Sequence, residues 1–292
     1  MKATIILHGG AGRIRKEDRQ NYRDGLIMAR DSAYKILASG GSAHDAVITA
    51  ILSMENNSAA FNAGVGAAIN IEGTVELDAA IMHGKDSSNG AVAAMTNTKN
   101  PILIADLVRR ELSPVFIVGK QANRLESKPI KNSELLTKRS LKALERFKNK
   151  NHTTSNTVGA VAIDKNGDMV AGTSTGGRMG KVPGRVGDAP IIGAGTLATK
   201  QTAISCTGEG EAFITITAAK ELSLLLEHNH NPREAMSKVL EKVKNVGGVG
   251  GIICLNKEQI LIGFNSEQMA FAWKTADSEK AVVSSEAGII VI

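Results

Sequence analysis

The sequence of 292 residues contains few aromatic side chains, which make up 3% of its residues and include a single Trp. A core therefore has to be built from Ile, Val, Leu, Ala and Met, which suits layered packing of helices against sheets. Glycine is abundant by comparison, with 30 residues, and indicates many tight turns. The length suffices for a core that buries about three quarters of the surface of the unfolded chain.

Cysteines and long apolar runs are scarce as well. Cys206 and Cys254 are too few for a disulfide framework, and both lie in apolar, strand-like segments. No run of 18 apolar residues occurs, and residues 1–10 begin a strand without the long apolar region of a secretory signal. These features argue against secretion and membrane insertion, and they predict a cytoplasmic protein with reduced cysteines.

The net charge is +6, and basic residues are concentrated between Lys138 and Lys150. Such a run can bind the phosphates of a nucleic acid. Phe147 is the only aromatic residue within it, so the run lacks the stacking side chains that accompany single-strand binding. We therefore interpret it as a solvated, mobile tether, and we expect neither a nucleic acid nor a membrane as a partner.

The apolar pattern predicts strands in hairpins and helices in runs. Expected helices cover residues 22–37, 46–54, 101–112, 119–127, 134–148, 211–227 and 232–242, and expected strands cover 3–7, 75–82, 91–95, 115–118, 157–163, 169–173, 203–207, 250–255, 259–264 and 269–274. Composition and periodicity allow an α/β or an α+β domain, and the clustering favours packed antiparallel sheets covered by helices, the α+β class. The composition breaks at about residues 148–156, which predicts a flexible linker within a single domain of residues 1–292.

Thr157 stands at the junction between this polar linker and the apolar run Val158–Ile163. A threonine inside a chain is a poor nucleophile, whereas an N-terminal threonine carries an α-amine, with a pKa of about 7.7 to 8.0, beside its hydroxyl. That amine can take the hydroxyl proton, so cleavage of the Asn156–Thr157 bond would place nucleophile and base in one residue. Taken alone, Thr157 is more simply explained as the first residue of a strand.

Several motifs occur in a fixed order around Thr157. They are His8–Gly12 (HGGAG), Phe61–Gly64 (FNAG), Glu76–Ala79 (ELDA), Thr173–Gly177 (TSTGG), Lys181–Asp188 (KVPGRVGD) and Cys206–Glu211 (CTGEGE). Through these motifs the chain resembles, nearly from end to end, the plant-type asparaginases, also called isoaspartyl peptidases, which are N-terminal-nucleophile hydrolases.

The resemblance implies a four-layer αββα sandwich. It also implies that a precursor is cut into an α chain of residues 1–156 and a β chain of residues 157–292. Two such αβ pairs are then expected to form a dimer.

The resemblance assigns roles to four residues at the reacting bond. Thr157 matches the nucleophile, and Thr175 matches the threonine that orients the nucleophile's hydroxyl. Thr207 and Gly208 match the two donors to the oxyanion, one through its hydroxyl and the other through its backbone N–H.

Arg185 and Asp188 match the residues that bind the substrate. An amino acid presents a carboxylate, which Arg can bind through two hydrogen bonds, and an ammonium, which can donate to Asp. In isolation, such a pair is more often a structural ion pair; the resemblance favours the substrate site. Gly210 would allow the backbone to approach the substrate closely.

Asn62 matches an asparagine whose side chain approaches the nucleophile, on the leaving-group side. The segment Glu55–Gly64 resembles a loop whose backbone carbonyls coordinate a structural sodium ion, although the match needs a gap near Glu55–Ser58. No catalytic cofactor is expected, since the histidines show no metal-ligand spacing and no Gly-Lys-Ser/Thr sequence follows the glycine turn at His8–Gly12.

Three residues depart from the family's pattern. Asn156 stands where glycine is common; because asparagine tolerates turn conformations, we still expect cleavage before Thr157, at a reduced rate. Glu209 lies at a variable position, where a carboxylate either alters the leaving-group preference or only faces solvent. His83 stands where related chains often carry an acid, and no chemical role follows for it.

The sequence therefore predicts an autoprocessing amidohydrolase that acts on L-asparagine, β-aspartyl dipeptides or both through an aspartyl ester of Thr157. A glycosylasparaginase is disfavoured, because such chains are typically secreted or lysosomal and carry Asp before the nucleophile. A taspase-like threonine endopeptidase is a further alternative. An uncleaved, non-catalytic binding protein is another, and the retention of every motif residue argues against it.

Overall fold

The structure is a computed structural model that describes residues 2–150 and 157–292, apart from the side chain of Lys150. Its strands are β1 (Thr4–Ala11), β2 (Leu77–His83), β3 (Asn89–Met95), β4 (Phe116–Val118), β5 (Val158–Ile163), β6 (Met169–Thr175), β7 (Thr196–Ala198), β8 (Thr202–Gly208), β9 (Gly250–Asn256), β10 (Ile260–Phe264), β11 (Met269–Lys274), β12 (Glu279–Ser284) and β13 (Gly288–Val291). Its helices are α1 (Arg19–Ala38), α2 (Ala43–Glu55), α3 (Pro101–Glu111), α4 (Gly119–Asn123), α5 (Lys138–Lys150), α6 (Gly210–Ile216), α7 (Ala218–Glu227) and α8 (Pro232–Asn245), with short 3-10 turns at Lys16–Asp18 and Asn132–Leu135.

The strands form two sheets. The order is β12-β11-β1-β5-β6-β2-β3-β4 in the eight-stranded sheet and β13-β10-β9-β8-β7 in the five-stranded sheet. Among these strands only β3 and β4 pair in parallel. Helices α1, α2 and α3 contact the larger sheet, whereas α7 and α8 contact the smaller one. Antiparallel sheets with helices in runs define the α+β class, so that prediction is confirmed.

Both faces of the central strands of the eight-stranded sheet are buried, which explains why these strands have continuous apolar sequences. In β1, Ile5 and Leu7 belong to the core beneath α1 and α2, while Ile6 belongs to the core shared with the second sheet. Neighbouring side chains in a strand point to opposite faces, so each strand supplies both cores. Strands β5 and β6 contact β8 across this second core.

The predicted hairpin of β5 and β6 is confirmed. Ile163 pairs with Met169 next to the turn, and Val158 pairs with Ser174 at the far end. The side chain of Asp164 fixes the turn by accepting hydrogen bonds from the backbone N–H groups of Asn166 and Asp168. Extending the register by one residue places Thr157 opposite Thr175.

The segments after β8 differ from the prediction. The expected helix over residues 211–227 is interrupted at Thr217, which has the left-handed conformation (φ 49°, ψ 54°) and separates α6 from α7. No glycine or proline marks this break in the sequence. Two strands, β12 and β13, follow the three expected at the end of the chain and pair with β11 and β10, respectively.

The basic segment is a packed helix rather than a mobile tether. Leu144 and Phe147 of α5 pack against the core that α1 and α2 cover, because they lie three residues apart on one helical face. The interpretation as a tether is therefore wrong. Helix α5 continues through Lys150, so residues 148–150 of the predicted linker are helical, whereas residues 151–156 lie outside the described part of the chain.

Within residues 2–150 and 157–292, no helix is long and apolar enough to cross a membrane. Cys206 and Cys254 are free and fully buried in β8 and β9. Burial raises the pKa of both thiols above its usual range, which makes them unreactive core residues.

Candidate active site

Thr157 and Thr175 meet at the open end of the hairpin. The Thr157 hydroxyl donates to Oγ1 of Thr175 over 3.1 Å, and both side chains are buried. Oγ1 of Thr175 also accepts from the N–H of Gly177 at 2.9 Å. The hydroxyl of Thr157 is therefore held in one orientation by a side chain that is itself fixed by the following turn.

His8 holds the backbone of Thr157. Its Nδ1 lies 3.1 Å from the Thr157 carbonyl, and its Nε2 lies 2.9 Å from the hydroxyl of Ser205 on β8. Complete burial lowers the pKa of His8 to about 3, so the ring is neutral at neutral pH. A neutral ring that donates from Nδ1 to the carbonyl can accept at Nε2 from Ser205. Thr157 is thereby tied to the second sheet.

Asn62 holds the turn after Thr175. Its Nδ2 donates to the carbonyl of Gly177 at 2.7 Å, and its backbone carbonyl accepts from Gly176 at 3.0 Å. Its Oδ1 accepts from the N–H of Ala68. Both ends of the Asn62 amide thus engage backbone groups and position the turn, while its contact with a leaving group stays a prediction.

Arg185 and Asp188 lie on either side of Gly210. A Cβ atom at Gly210 would lie 2.8 Å from Oδ1 of Asp188 and 3.0 Å from Nη2 of Arg185. A Cβ atom at Gly177 would lie 3.3 Å from Nη1 of Arg185, which connects this pair to the turn after Thr175. The glycines therefore leave room between one cation and one anion, as an amino acid substrate requires.

Asp188 is a buried carboxyl with spare hydrogen-bonding capacity. Its side chain is 3% exposed, and Oδ2 has no hydrogen-bond partner among the described residues. Burial raises the pKa of Asp188 to about 7, against the opposing effects of its own backbone N–H and the charge of Arg185. An ammonium group placed here would satisfy the oxygen and favour the ionised carboxylate.

Glu211 binds the guanidinium of Arg185 through two hydrogen bonds. Nε donates to Oε1 over 2.9 Å, and Nη2 donates to Oε2 over 2.8 Å. The side chain of Arg185 is 13% exposed and that of Glu211 is 57% exposed. Glu211 thus occupies Nε and Nη2 of the guanidinium. Nη1 lies on the side of Gly177.

Thr207 and Gly208 end strand β8 of the second sheet. Oγ1 of Thr207 accepts from the N–H of Ala11 at 3.3 Å, so it faces β1 on the same side of the strand as Ser205. Gly208 has φ 145°, and a Cβ atom there would lie 2.4 Å from the carbonyl oxygen of Val249. Only glycine fits this backbone, whose N–H is one of the predicted oxyanion donors.

The sequence profile of the asparaginase family matches residues 1–284 of the chain. The chain belongs to the asparaginase family. The isoaspartyl peptidase/L-asparaginase of Bos taurus is 39% identical over 88% of each chain. The isoaspartyl peptidase of Salmonella typhimurium is 38% identical over 93% of this chain and 95% of its own length, and that of Escherichia coli is 36% identical over 93% and 92%. The resemblance predicted from the sequence is confirmed.

Two of the residues that depart from the family's pattern lie within the described structure. Glu209 is half-buried beside Gly208, and its N–H donates to the carbonyl of Val249 at 2.9 Å. His83 lies at the end of β2, five residues or roughly 16 Å from Asp78, which pairs with Thr175. Its ring is 3.0 Å from Nδ1 of His44, so His83 lies away from the site. Asn156 lies outside the described residues.

Two buried charged residues without a role predicted from the sequence lie next to the turn after Thr175 and next to β6. The side chain of Lys181 is 1% exposed and donates to the carbonyl of Glu76 over 3.1 Å. Burial lowers the pKa of Lys181, and the charge of Asp78 opposes this shift. A Cβ atom at Gly177 would lie 3.2 Å from its Nζ. Lys181 begins the KVPGRVGD motif, and this position could have indicated from the sequence that the residue lies near the site.

Glu55 is the second of these residues. Its fully buried carboxyl accepts hydrogen bonds from the Ser174 hydroxyl at 2.7 Å, Nδ2 of Asn100 at 3.0 Å and the N–H of Ile102 at 3.2 Å. Burial raises the pKa of Glu55 to about 7, although the three donors oppose that shift. Glu55 is an acid at the carboxyl end of an apolar helix, where the helix dipole disfavours a negative charge. This unfavourable position could have indicated from the sequence that Glu55 has a specific role.

Proposed function

We propose that this chain is an isoaspartyl peptidase/L-asparaginase that hydrolyses L-asparagine and β-aspartyl peptides with Thr157 as its nucleophile. Thr157 directly precedes β5, and its hydroxyl donates a hydrogen bond to Thr175. This hydrogen bond is the observation that carries the proposal. The names of the relatives from Bos taurus and Salmonella typhimurium support the substrate class.

Maturation would cut the chain between Asn156 and Thr157. In this step the Thr157 hydroxyl attacks the Asn156 carbonyl, the amide becomes an ester, and water hydrolyses the ester. The products are an α chain of residues 1–156 and a β chain of residues 157–292. The buried hydroxyl held by Thr175 supports the attack, because it is oriented before the bond is broken.

The freed α-amine of Thr157 then acts as the base. It takes the proton of its own hydroxyl, whose oxygen attacks the side-chain carbonyl of the substrate. The hydroxyl of Thr207 and the N–H of Gly208 would donate to the oxyanion, and loss of such a donor costs about 3 to 4 kcal/mol of transition-state stabilisation. Ammonia or an amine leaves, and water hydrolyses the aspartyl ester.

Substrate selection rests on Arg185 and Asp188. Arg185 would bind the α-carboxylate through its Nη1 side, and the unpaired Oδ2 of Asp188 would accept from the α-ammonium. An N-terminal β-aspartyl residue presents the same two groups as free asparagine. This equivalence supports activity on both substrates.

We also infer the four-layer αββα sandwich of N-terminal-nucleophile hydrolases within one domain. Helices contact the outer face of each sheet, and β1, β5 and β6 contact β8 and β9 between the sheets, which supports that arrangement. The proposed assembly, a dimer of cleaved αβ pairs, rests on the family alone.

The test compares the release of aspartate from L-asparagine, β-aspartyl-leucine and glycosylated asparagine, with Thr157→Ala as the inactive control. We expect hydrolysis of the first two substrates and no activity in the variant. Preferred cleavage of glycosylated asparagine, or activity that survives Thr157→Ala, would reject the proposal.

A further inference from the structure

The guanidinium of Arg139, in the first turn of α5, is surrounded by backbone carbonyls. Nε donates to the Ser58 carbonyl at 3.1 Å, and Nη1 donates to the Ala60 carbonyl at 2.8 Å. Nη2 donates to the carbonyls of Phe61 and Gly66, the latter at 3.2 Å. Four of the five N–H donors of the side chain are thus bound to one loop. Arg139 forms no ion pair with any described residue.

The loop with these carbonyls, residues 58–66, overlaps the segment for which the sequence predicts a structural sodium ion. Sodium is a hard cation that would be held there by backbone carbonyl oxygens, the type of ligand that Arg139 already engages. A second cation on the same oxygens would lie beside the guanidinium charge and be repelled. The four carbonyls that Arg139 engages therefore do not fit a sodium ion while the guanidinium is in place.

We propose that Arg139 is the built-in cation of the loop 58–66, so that this chain holds its active-site asparagine in place without an alkali-metal ion. A guanidinium suits the task because it is weakly hydrated, always charged, and presents its donors in a fixed plane. Arg139 is thus a positioning residue that acts through Asn62.

The loop connects Arg139 to the nucleophile through three successive hydrogen bonds. Asn62 directly follows Phe61, and its side chain and backbone bond Gly177 and Gly176. The N–H of Gly177 in turn donates to Oγ1 of Thr175, which accepts the hydrogen bond of the Thr157 hydroxyl. Movement of the loop would therefore misplace the hydroxyl that reacts.

Local structure fixes Arg139 at the start of α5. The N–H of Ser140 donates to Oγ1 of Thr137, and the N–H of Thr137 donates to the Ser140 hydroxyl. These reciprocal bonds form a capping box at the beginning of the helix. The N–H of Gly66 donates to the Leu135 carbonyl at 2.8 Å, so the loop is also joined directly to the segment before α5.

The first experiment leaves Arg139 unchanged. Thermal stability of the uncut Thr157→Ala protein and sodium NMR linewidth in its presence are measured in sodium chloride and in choline chloride of equal ionic strength. We expect the same Tm in both salts and no bound sodium. A higher Tm in sodium, or broadening that saturates with the protein, would overturn the proposal whether or not the chain hydrolyses asparagine.

The second experiment replaces the guanidinium. Arg139→Ala is expected to lower Tm and to lower kcat for L-asparagine about tenfold in choline chloride, with a smaller change in KM, because Arg185 and Asp188 are untouched. Sodium ions or added guanidinium should restore part of both losses. The kinetic readout rests on the proposed function, whereas the Tm readout does not.

Arg146→Ala is the matched control, since Arg146 lies on the same helix, is exposed, and donates to the Lys142 carbonyl within that helix. It should behave as wild type in either salt. Should Arg139→Ala not fold, Arg139→Lys, which keeps the charge with three donors, is expected to show an intermediate loss. The proposal is wrong if both Arg139 variants match Arg146→Ala, or if guanidinium restores nothing.

Discussion

Glu211 grips the Nε edge of Arg185 at 2.9 and 2.8 Å, and this contact determines which side of the guanidinium is available to a substrate. A carboxylate bound at Nη1 would lie next to Gly177, on the side of the nucleophile. Glu211 therefore positions the arginine that we propose binds the substrate, which distinguishes it from a surface ion pair of little consequence.

Glu211→Gln should raise KM for L-asparagine by about tenfold and leave kcat nearly unchanged, because the guanidinium loses its charged anchor and rotates more freely. Steady-state kinetics test this expectation. Glu241→Gln, at an exposed position of α8, is the control. A drop in kcat with constant KM would show instead that Glu211 acts on the chemical step.

The raised pKa of Asp188 predicts a pH dependence. Its carboxyl, with a pKa of about 7 in the free protein, forms an ion pair with an ammonium only when ionised, and the α-amine of Thr157 acts as a base only when neutral. Both groups are inactivated as the pH falls, so log kcat/KM should approach a slope of two below pH of about 7.

Asp188→Asn replaces one of these two titrating groups with an amide that does not titrate. The variant should have a KM raised by about a hundredfold, since one partner of a buried charged interaction is lost, and an acid limb with a slope of one. The measurement is the pH profile of kcat/KM for both proteins. An unchanged slope of two in the variant would assign the second proton to another group, such as Glu55.

The hydroxyl of Thr175 should matter more for the rate than for substrate binding. Thr175→Val keeps the shape but removes the acceptor for the Thr157 hydroxyl and for the N–H of Gly177. We expect kcat to fall about tenfold or more, with KM within about twofold. Thr175→Ser, which keeps the oxygen, should retain most of the activity; equal losses in the two variants would point to packing.

The sequence predicted the hairpin, and the family resemblance predicted the contact of Thr175 with Thr157. The turn at Lys165–Asp168 is local, and once its position is known the register follows along both strands. The roles proposed for Arg185 and Asp188 rest on the family resemblance, together with the chemistry that an amino acid substrate demands. These parts of the site could be predicted because each depends on residues close in sequence or on a known motif.

The contacts of Glu211 and Arg139 could not be predicted in this way. Glu211 lies 26 residues from Arg185, and Arg139 lies 73 to 81 residues from the carbonyls that it binds. Every residue has a backbone carbonyl, so the sequence does not show which carbonyls Arg139 binds. Judged by its basic neighbours alone, Arg139 had the pattern of a solvated segment. The break between α6 and α7 at Thr217 could not be predicted either, since no residue type near it requires a helix to end there.

The most direct test of the central claim is intact-mass spectrometry of the purified chain after prolonged incubation, with Thr157→Ala beside it. Autocleavage by Thr157 predicts two fragments from the 30.7 kDa chain, with the C-terminal one beginning at Thr157, and an uncut variant. It also predicts that aspartate release from L-asparagine increases with the cut fraction. An intact wild-type chain that hydrolyses L-asparagine, or a fragment that begins at any other residue, would contradict it.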